Sequence, residues 1–290
     1  MIYLLLILSM LMSVGKALSC KKIGVVSSDF KSLMSTNSGV FIVAALCVFA
    51  SLIGDLNSIL NISHYSLMLS LVFAGVMVFT QATQSVAMAK GSSSSTVLIY
   101  SCGFLIPVVW SSFVYSEPIS IAQYIGMAIL LASLYLIVSP DKKVGFSLVW
   151  FVFALLAMTG SGVTAIIQKV HQHSDFAKEL RAFLMYTFVF CSAMSFLLSK
   201  IPTGKKTQSV KSSKRFTISV VSGLFVGLLN IFNLMLAGKI PAVILFPVYN
   251  IGGMILTGVA GAIIFKEKNT PKQIWGFVIG CVAIAVIGLL

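Results

Sequence analysis

The chain has 290 residues, 58% of them hydrophobic and only 9% charged, with a mean hydropathy of +1.04. Soluble globular chains carry about 25% charged residues, so the composition excludes a soluble enzyme or soluble binding module and indicates an all-α integral membrane protein. The net charge of +13 does not point to nucleic acid either, because the lysines gather in short connections between apolar runs.

A hydrocarbon core of about 30 Å takes about 20 apolar residues per helix, and helices satisfy their own backbone polar groups there. Ten runs are predicted to span: 2–20, 37–56, 65–89, 94–115, 119–139, 145–168, 179–199, 216–238, 241–265 and 272–290. The first has no charged leader and no A-x-A-like cleavage site, so it reads as a span rather than a signal peptide. Lys16 falls inside it as an intramembrane cation. About five residues, roughly 7.5 Å, separate it from Lys21, which leaves both snorkelling and contact with a substrate carboxylate or phosphate open.

The third run carries Gln81 and Gln84 in "QATQSVAMAK", and the eighth carries Asn230 and Asn233 in "NIFNLMLAGK". Residues three apart share a helix face. Their amides donate and accept, so each pair reads either as interhelical glue or as substrate contact. The fourth run opens on "KGSSSSTV", a serine-capped helix start. Its functional reading is a polar, close-packing gate or a helix N-terminus facing an anionic substrate group. Its midplane holds Tyr100, with Trp110 and Tyr115 nearer an interfacial aromatic belt. In the ninth run Pro241 marks the helix start, and Tyr249 and Asn250 follow Pro247 at the midplane.

Asp55, Glu117 and Glu267 fall near span ends, so no central acid is available for proton coupling. The stretch "HQHSDFAKE", with His171, His173, Asp175 and Glu179, lacks zinc-site spacing. No nucleophile, base and oxyanion set lies within the spans, so neither an enzyme, a metal nor a cofactor is expected. Five cysteines without C-x-x-C spacing read as buried thiols.

Assigning alternate connections to opposite faces puts fifteen Lys and Arg on one face and four on the other, Lys169, Lys178, Arg181 and Lys239, with Lys16 left out. By the positive-inside rule both termini are then exoplasmic.

The chain also matches itself. A shift of 150 lays Gly103 on Gly253, Glu117 on Glu267, Gln123 on Gln273 and Gly126 on Gly276. A shift of 149 lays Gln81 on Asn230 and Gln84 on Asn233, and a shift of 148 pairs Ser13 with Ser161 and Ala17 with Ala165. Two copies, residues 1–140 and 141–290, would each hold five spans. An odd number per copy inverts the second relative to the first, which is a transporter architecture.

Ten spans as five plus five, with Glu117 and Glu267 each closing a fourth span before "Q-x-x-G" at Gln123–Gly126 and Gln273–Gly276, resemble the drug/metabolite transporter superfamily, specifically its EamA-like ten-helix members. The "EKN" after Phe265 departs from the plainer Glu117-Pro118 turn. The resemblance implies a carrier of small metabolites, amino acids or related compounds, in the cell membrane, with export the expected direction. It implies a central cavity lined mainly by the first, third, fourth, sixth, eighth and ninth spans. It also implies cytoplasmic termini, opposite to the loop charges. The expected substrate-binding residues are Lys16, Gln81, Gln84, Tyr100, Asn230, Asn233, Tyr249 and Asn250. Partners would be a small-molecule substrate, membrane lipids and a second copy of the chain, with no nucleic acid. A channel or lipid-handling flippase is the rival reading.

Overall fold

A computed structural model of the protein describes residues 2–27, 29–54, 57–116, 119–138, 147–201, 212–237, 242–266 and 270–289, and every regular element among them is helical. In chain order they are α1 (Ile2–Val26), α2 (Phe30–Ala50), the short α3 (Asn57–Leu60), α4 (His64–Lys90), α5 (Ser93–Ser101) and α6 (Leu105–Val114). The second part holds α7 (Ile121–Val138), α8 (Leu148–Gln172), α9 (Leu180–Leu198), α10 (Ser212–Ala237), α11 (Ala242–Ile264) and α12 (Pro271–Leu289).

Among the described residues, seven helices are long and apolar enough to cross a membrane. The surface fits that solvent: Phe113 is 83% exposed and Ile263 72%, while Asn37 is 0% and Gln84 3% exposed. A soluble domain does not turn large aromatics outward and amides inward on this scale. The chain is a multi-pass membrane protein.

Three predicted boundaries move most. The first helix runs on through Lys21 and Lys22 to Val26, and the second runs from Phe30 to Ala50 rather than from 37 to 56. Residues 30–38 look too polar to span, but their hydroxyls are spent inside the bundle. Asp29 caps α2 by accepting from the Ser32 amide at 2.7 Å, Thr36 Oγ1 donates to Ser32 O at 2.8 Å, and Ser38 Oγ meets Ser192 Oγ of α9 at 3.2 Å. Ser219 Oγ of α10 donates to Thr36 O at 3.0 Å.

The fourth predicted span is broken by a 3-10 turn over Cys102–Phe104 between α5 and α6. Pro107 supplies the cause: it has no amide hydrogen, and its ring crowds the carbonyl four residues back, that of Gly103. A tighter turn absorbs the conflict.

Side-chain contacts fix the helix directions. α1 and α10 run antiparallel, with Ser9 on Asn233 and Gly15 against Phe225. So do α4 and α8, where Ser66 meets His171 at one end and Thr80 faces Gly160 further along. α2 is antiparallel to α9, through Ser38–Ser192 and the stacked Phe41–Phe188 rings 6.3 Å apart, and parallel to α10, where Val40 and Val43 abut Gly223 and Cys47 abuts Gly227. Phe41, Phe73, Phe183 and Phe188 centre the largest apolar core, shared by α2, α4, α9 and α10.

Local structure repeats at the offset seen in the sequence. Ser120 and Gln123 form a capping box ahead of α7, Ser120 N donating to Gln123 Oε1 at 2.9 Å and Gln123 N to Ser120 Oγ at 3.2 Å. Thr270 and Gln273 do the same for α12, at 3.0 and 3.3 Å. The glutamines of the "Q-x-x-G" motif are therefore helix caps. The preceding helices also end alike: Tyr115 N reaches Ser111 O at 2.9 Å and Phe265 N reaches Gly261 O at 3.1 Å. Each is followed by a left-handed residue, Ser116 at φ 54 and Lys266 at φ 52.

At the start of α4, Ser63 Oγ accepts from Ser66 N at 3.2 Å and donates to Glu179 Oε2 at 2.7 Å, while Ser63 N donates to the same oxygen at 3.1 Å. One hydroxyl thus caps α4 and ties it to the segment entering α9. Ser63→Ala removes the cap and one charge-assisted bond, so apparent stability in detergent should fall by about 1–3 kcal/mol, read as a lowered melting temperature. An unchanged melting point would mean that water replaces both contacts.

Candidate functional site

Six helices, α1, α4, α5, α8, α10 and α11, together with the 3-10 turn after α5, enclose a cavity of about 240 Å³. In chain order these occupy the first, third, fourth, sixth, eighth and ninth predicted spans. The volume sits below the roughly 300–1,000 Å³ of drug-sized pockets.

Gln81 and Gln84 reach it from α4, Asn230 and Asn233 from α10, Lys16 from α1 and Tyr100 from α5. Six of the eight expected residues thus meet in one place. Tyr249 and Asn250 lie on α11, and their side chains, like that of Pro247, fall outside the described residues. Asp55, Glu117, Lys239, Pro241 and Glu267 also lie outside the described residues.

The amides are engaged as well as exposed to the cavity. Gln81 Nε2 donates to Cys20 Sγ at 3.2 Å, and Cys20 Sγ points at Gln84 Oε1 at 3.8 Å, so one thiol on α1 links both glutamines of α4. Across the cavity Asn233 Oδ1 accepts from Ser9 Oγ at 2.7 Å, and Asn230 Nδ2 donates to Val226 O of its own helix at 2.8 Å. Packing and cavity-lining roles coexist in these residues.

Lys16 is half-buried on α1, which continues past it to Val26, about 15 Å further at 1.5 Å per residue. Its ammonium stands 5.5 Å from the Tyr100 ring centroid, within cation–π range.

Sequence reasoning missed a polar stripe on α8, where Ser161, Thr164 and Gln168 all line the cavity. Their spacing puts them on one helical face, which was the available signal. The serine-rich stretch acts as a helix start, Ser92 Oγ accepting from Ser95 N at 3.2 Å. Thr96 Oγ1 further accepts from the Trp150 indole at 2.9 Å.

The two histidines point to different partners. His171 is buried on Ser66 at 3.0 Å and stacks on Phe183 at 4.3 Å, while His173 stacks on Tyr115 at 4.4 Å. Tyr115 also meets Trp110 edge-on at 5.2 Å, and Lys169 donates to Ser111 Oγ at 2.7 Å. This cluster joins the ends of α6 and α8.

One protein known from a crystal structure has the same fold, with a TM-score of 0.70 at 14% identity over 99% of this chain and 96% of the other. No protein-family model matches the chain, and no curated protein matches it. The structural likeness carries architecture alone.

Proposed function

We propose that the protein is a secondary carrier of the drug/metabolite type, moving a small polar metabolite across the cell membrane by alternating access, with export its direction. Amino acids and related compounds are the substrate class the resemblance implies. In this reading the chain is two inverted five-helix repeats, residues 1–140 and 141–290, spanning ten times.

The observation that carries the reading is convergence: residues paired by the internal match meet around one cavity. Gln81 and Asn230, Gln84 and Asn233, and Ser13 and Ser161 all line it, three helices coming from each half. The packing directions support inversion, since α1 crosses α10 antiparallel as their counterparts α8 and α4 do. The duplicated capping boxes and left-handed helix ends support duplication.

Such a seam suits rocking. Each half contributes three of the lining helices, so a rotation of one against the other opens the site to one compartment while closing it to the other. The polar groups orient a substrate, and binding and release are the whole chemistry.

The test is counterflow. Purified protein in liposomes preloaded with an unlabelled amino acid or organic acid should accelerate saturable uptake of the same labelled compound. Linear flux without trans-stimulation would indicate a pore or flippase and overturn the carrier reading.

A further inference from the structure

The amino acids and related compounds of the carrier reading include both zwitterions and net anions, and the cavity wall bears on which is held. Among the described residues lining the cavity, Lys16 carries the only formal charge. Gln84 and Asn233 are turned in one sense. The carbonyl oxygen of Gln84 faces the Cys20 thiol and that of Asn233 accepts from Ser9. With the carbonyl ends engaged, the NH2 ends are what both amides offer to the cavity.

Resting on the carrier reading, we infer that this is an anion site: Lys16, with the NH2 groups of Gln84 and Asn233, receives the carboxylate or phosphate oxygens of a small organic acid bearing net negative charge. An ammonium and two amide donors match an acceptor-only group. The low-dielectric surroundings strengthen that pairing relative to water. The same positive charge repels a substrate ammonium, so a net anion is favoured over a zwitterion. Tyr100, under the ammonium at 5.5 Å, fixes the position of Lys16 rather than binding the anion, because an aromatic face is itself negative.

The experiment is thermal stabilisation of the detergent-purified full chain by matched probes. Succinate and glycerol 3-phosphate form the carboxylate and phosphate arms, succinamide and glycerol their uncharged counterparts, and L-alanine the zwitterion. At least one anion should raise the melting temperature dose-dependently and its uncharged counterpart should not. Lys16→Gln should weaken that anion at least tenfold, and Lys16→Arg should restore it to within a few-fold. Removing a charge from a membrane helix does not threaten insertion, so the glutamine variant remains readable. Equal stabilisation by succinamide or glycerol, preference for L-alanine, undiminished anion binding by Lys16→Gln, or no response to either anion would overturn the inference. Counterflow separates the two claims: saturable exchange of a neutral or zwitterionic compound keeps the carrier and removes the anion site, while Lys16-dependent anion binding without exchange does the reverse.

Discussion

Gly24→Val is expected to abolish recovery of folded protein, whereas Gly75→Val leaves recovery near that of the unaltered chain. α1 and α4 lie side by side, and a Cβ on Gly24 would fall on the Ser85 carbonyl oxygen and 2.8 Å from Ala89 Cβ. The obstacle is backbone inside α4, so it cannot rotate away as a side chain can. Separating the helices would also break the contacts of Cys20 with Gln81 and Gln84, one turn away. Overpacking a core costs about 1–3 kcal/mol where side chains can adjust, and this site belongs at or beyond the upper end. Total stabilities of about 5–15 kcal/mol leave little margin. Gly75 has nothing within 4 Å of its virtual Cβ and lies on the same helix as the Ser85 carbonyl, so it controls for helix propensity. Size-exclusion recovery and melting temperature in detergent measure both. Equal recovery of the two variants would mean that α1 and α4 are not in this close contact.

Hydropathy made the seven long apolar helices among the described residues legible, because a membrane helix must be apolar toward lipid along most of its length. It failed where the polar face turns inward. Ser32, Thr36, Asn37 and Ser38 are all buried, yet their polarity delayed the predicted start of α2 to residue 37. The same blindness hid Ser161, Thr164 and Gln168, whose individual polarity is diluted by the apolar residues between them. Amide pairs were easier to find, since Gln and Asn stand out in an apolar run and a face is defined by their spacing alone.

The internal match of the sequence was legible for another reason. A constant offset is insensitive to which side of a helix faces lipid, so it survives where periodicity is ambiguous. What the offset could not reveal was the job of each matched residue. Gln123 and Gln273 carried part of the family resemblance, and their side chains cap α7 and α12. The break between α5 and α6 was implicit in Pro107, but only the turn over Cys102–Phe104 shows how the chain accommodates it.

Replacing Gln84 or Asn233 by Leu is expected to lower transport at least tenfold while lowering folded yield much less. The two roles of these amides predict different ratios. As packing groups, amides between membrane helices contribute about 0.6–2 kcal/mol, and their loss would reduce activity only as far as it reduces folded protein. As substrate contacts, the loss of a bond to a charged group costs about 1.5–3 kcal/mol, and each 1.4 kcal/mol is tenfold in affinity. Gln84 is the sharper case, because its contact with Cys20 at 3.8 Å is weak and the packing loss is correspondingly small. Asn233 surrenders the 2.7 Å bond from Ser9 as well, so Ser9→Ala provides the matching control: it removes that bond while keeping the amide. If both amides hold one substrate across the seam, the double variant should fall short of the product of the single losses, since removing the first contact already frees the substrate from the second. Activity per folded molecule, from counterflow normalised to monodisperse protein, decides between the roles. Activity that merely tracks yield in both variants would assign the amides to packing alone.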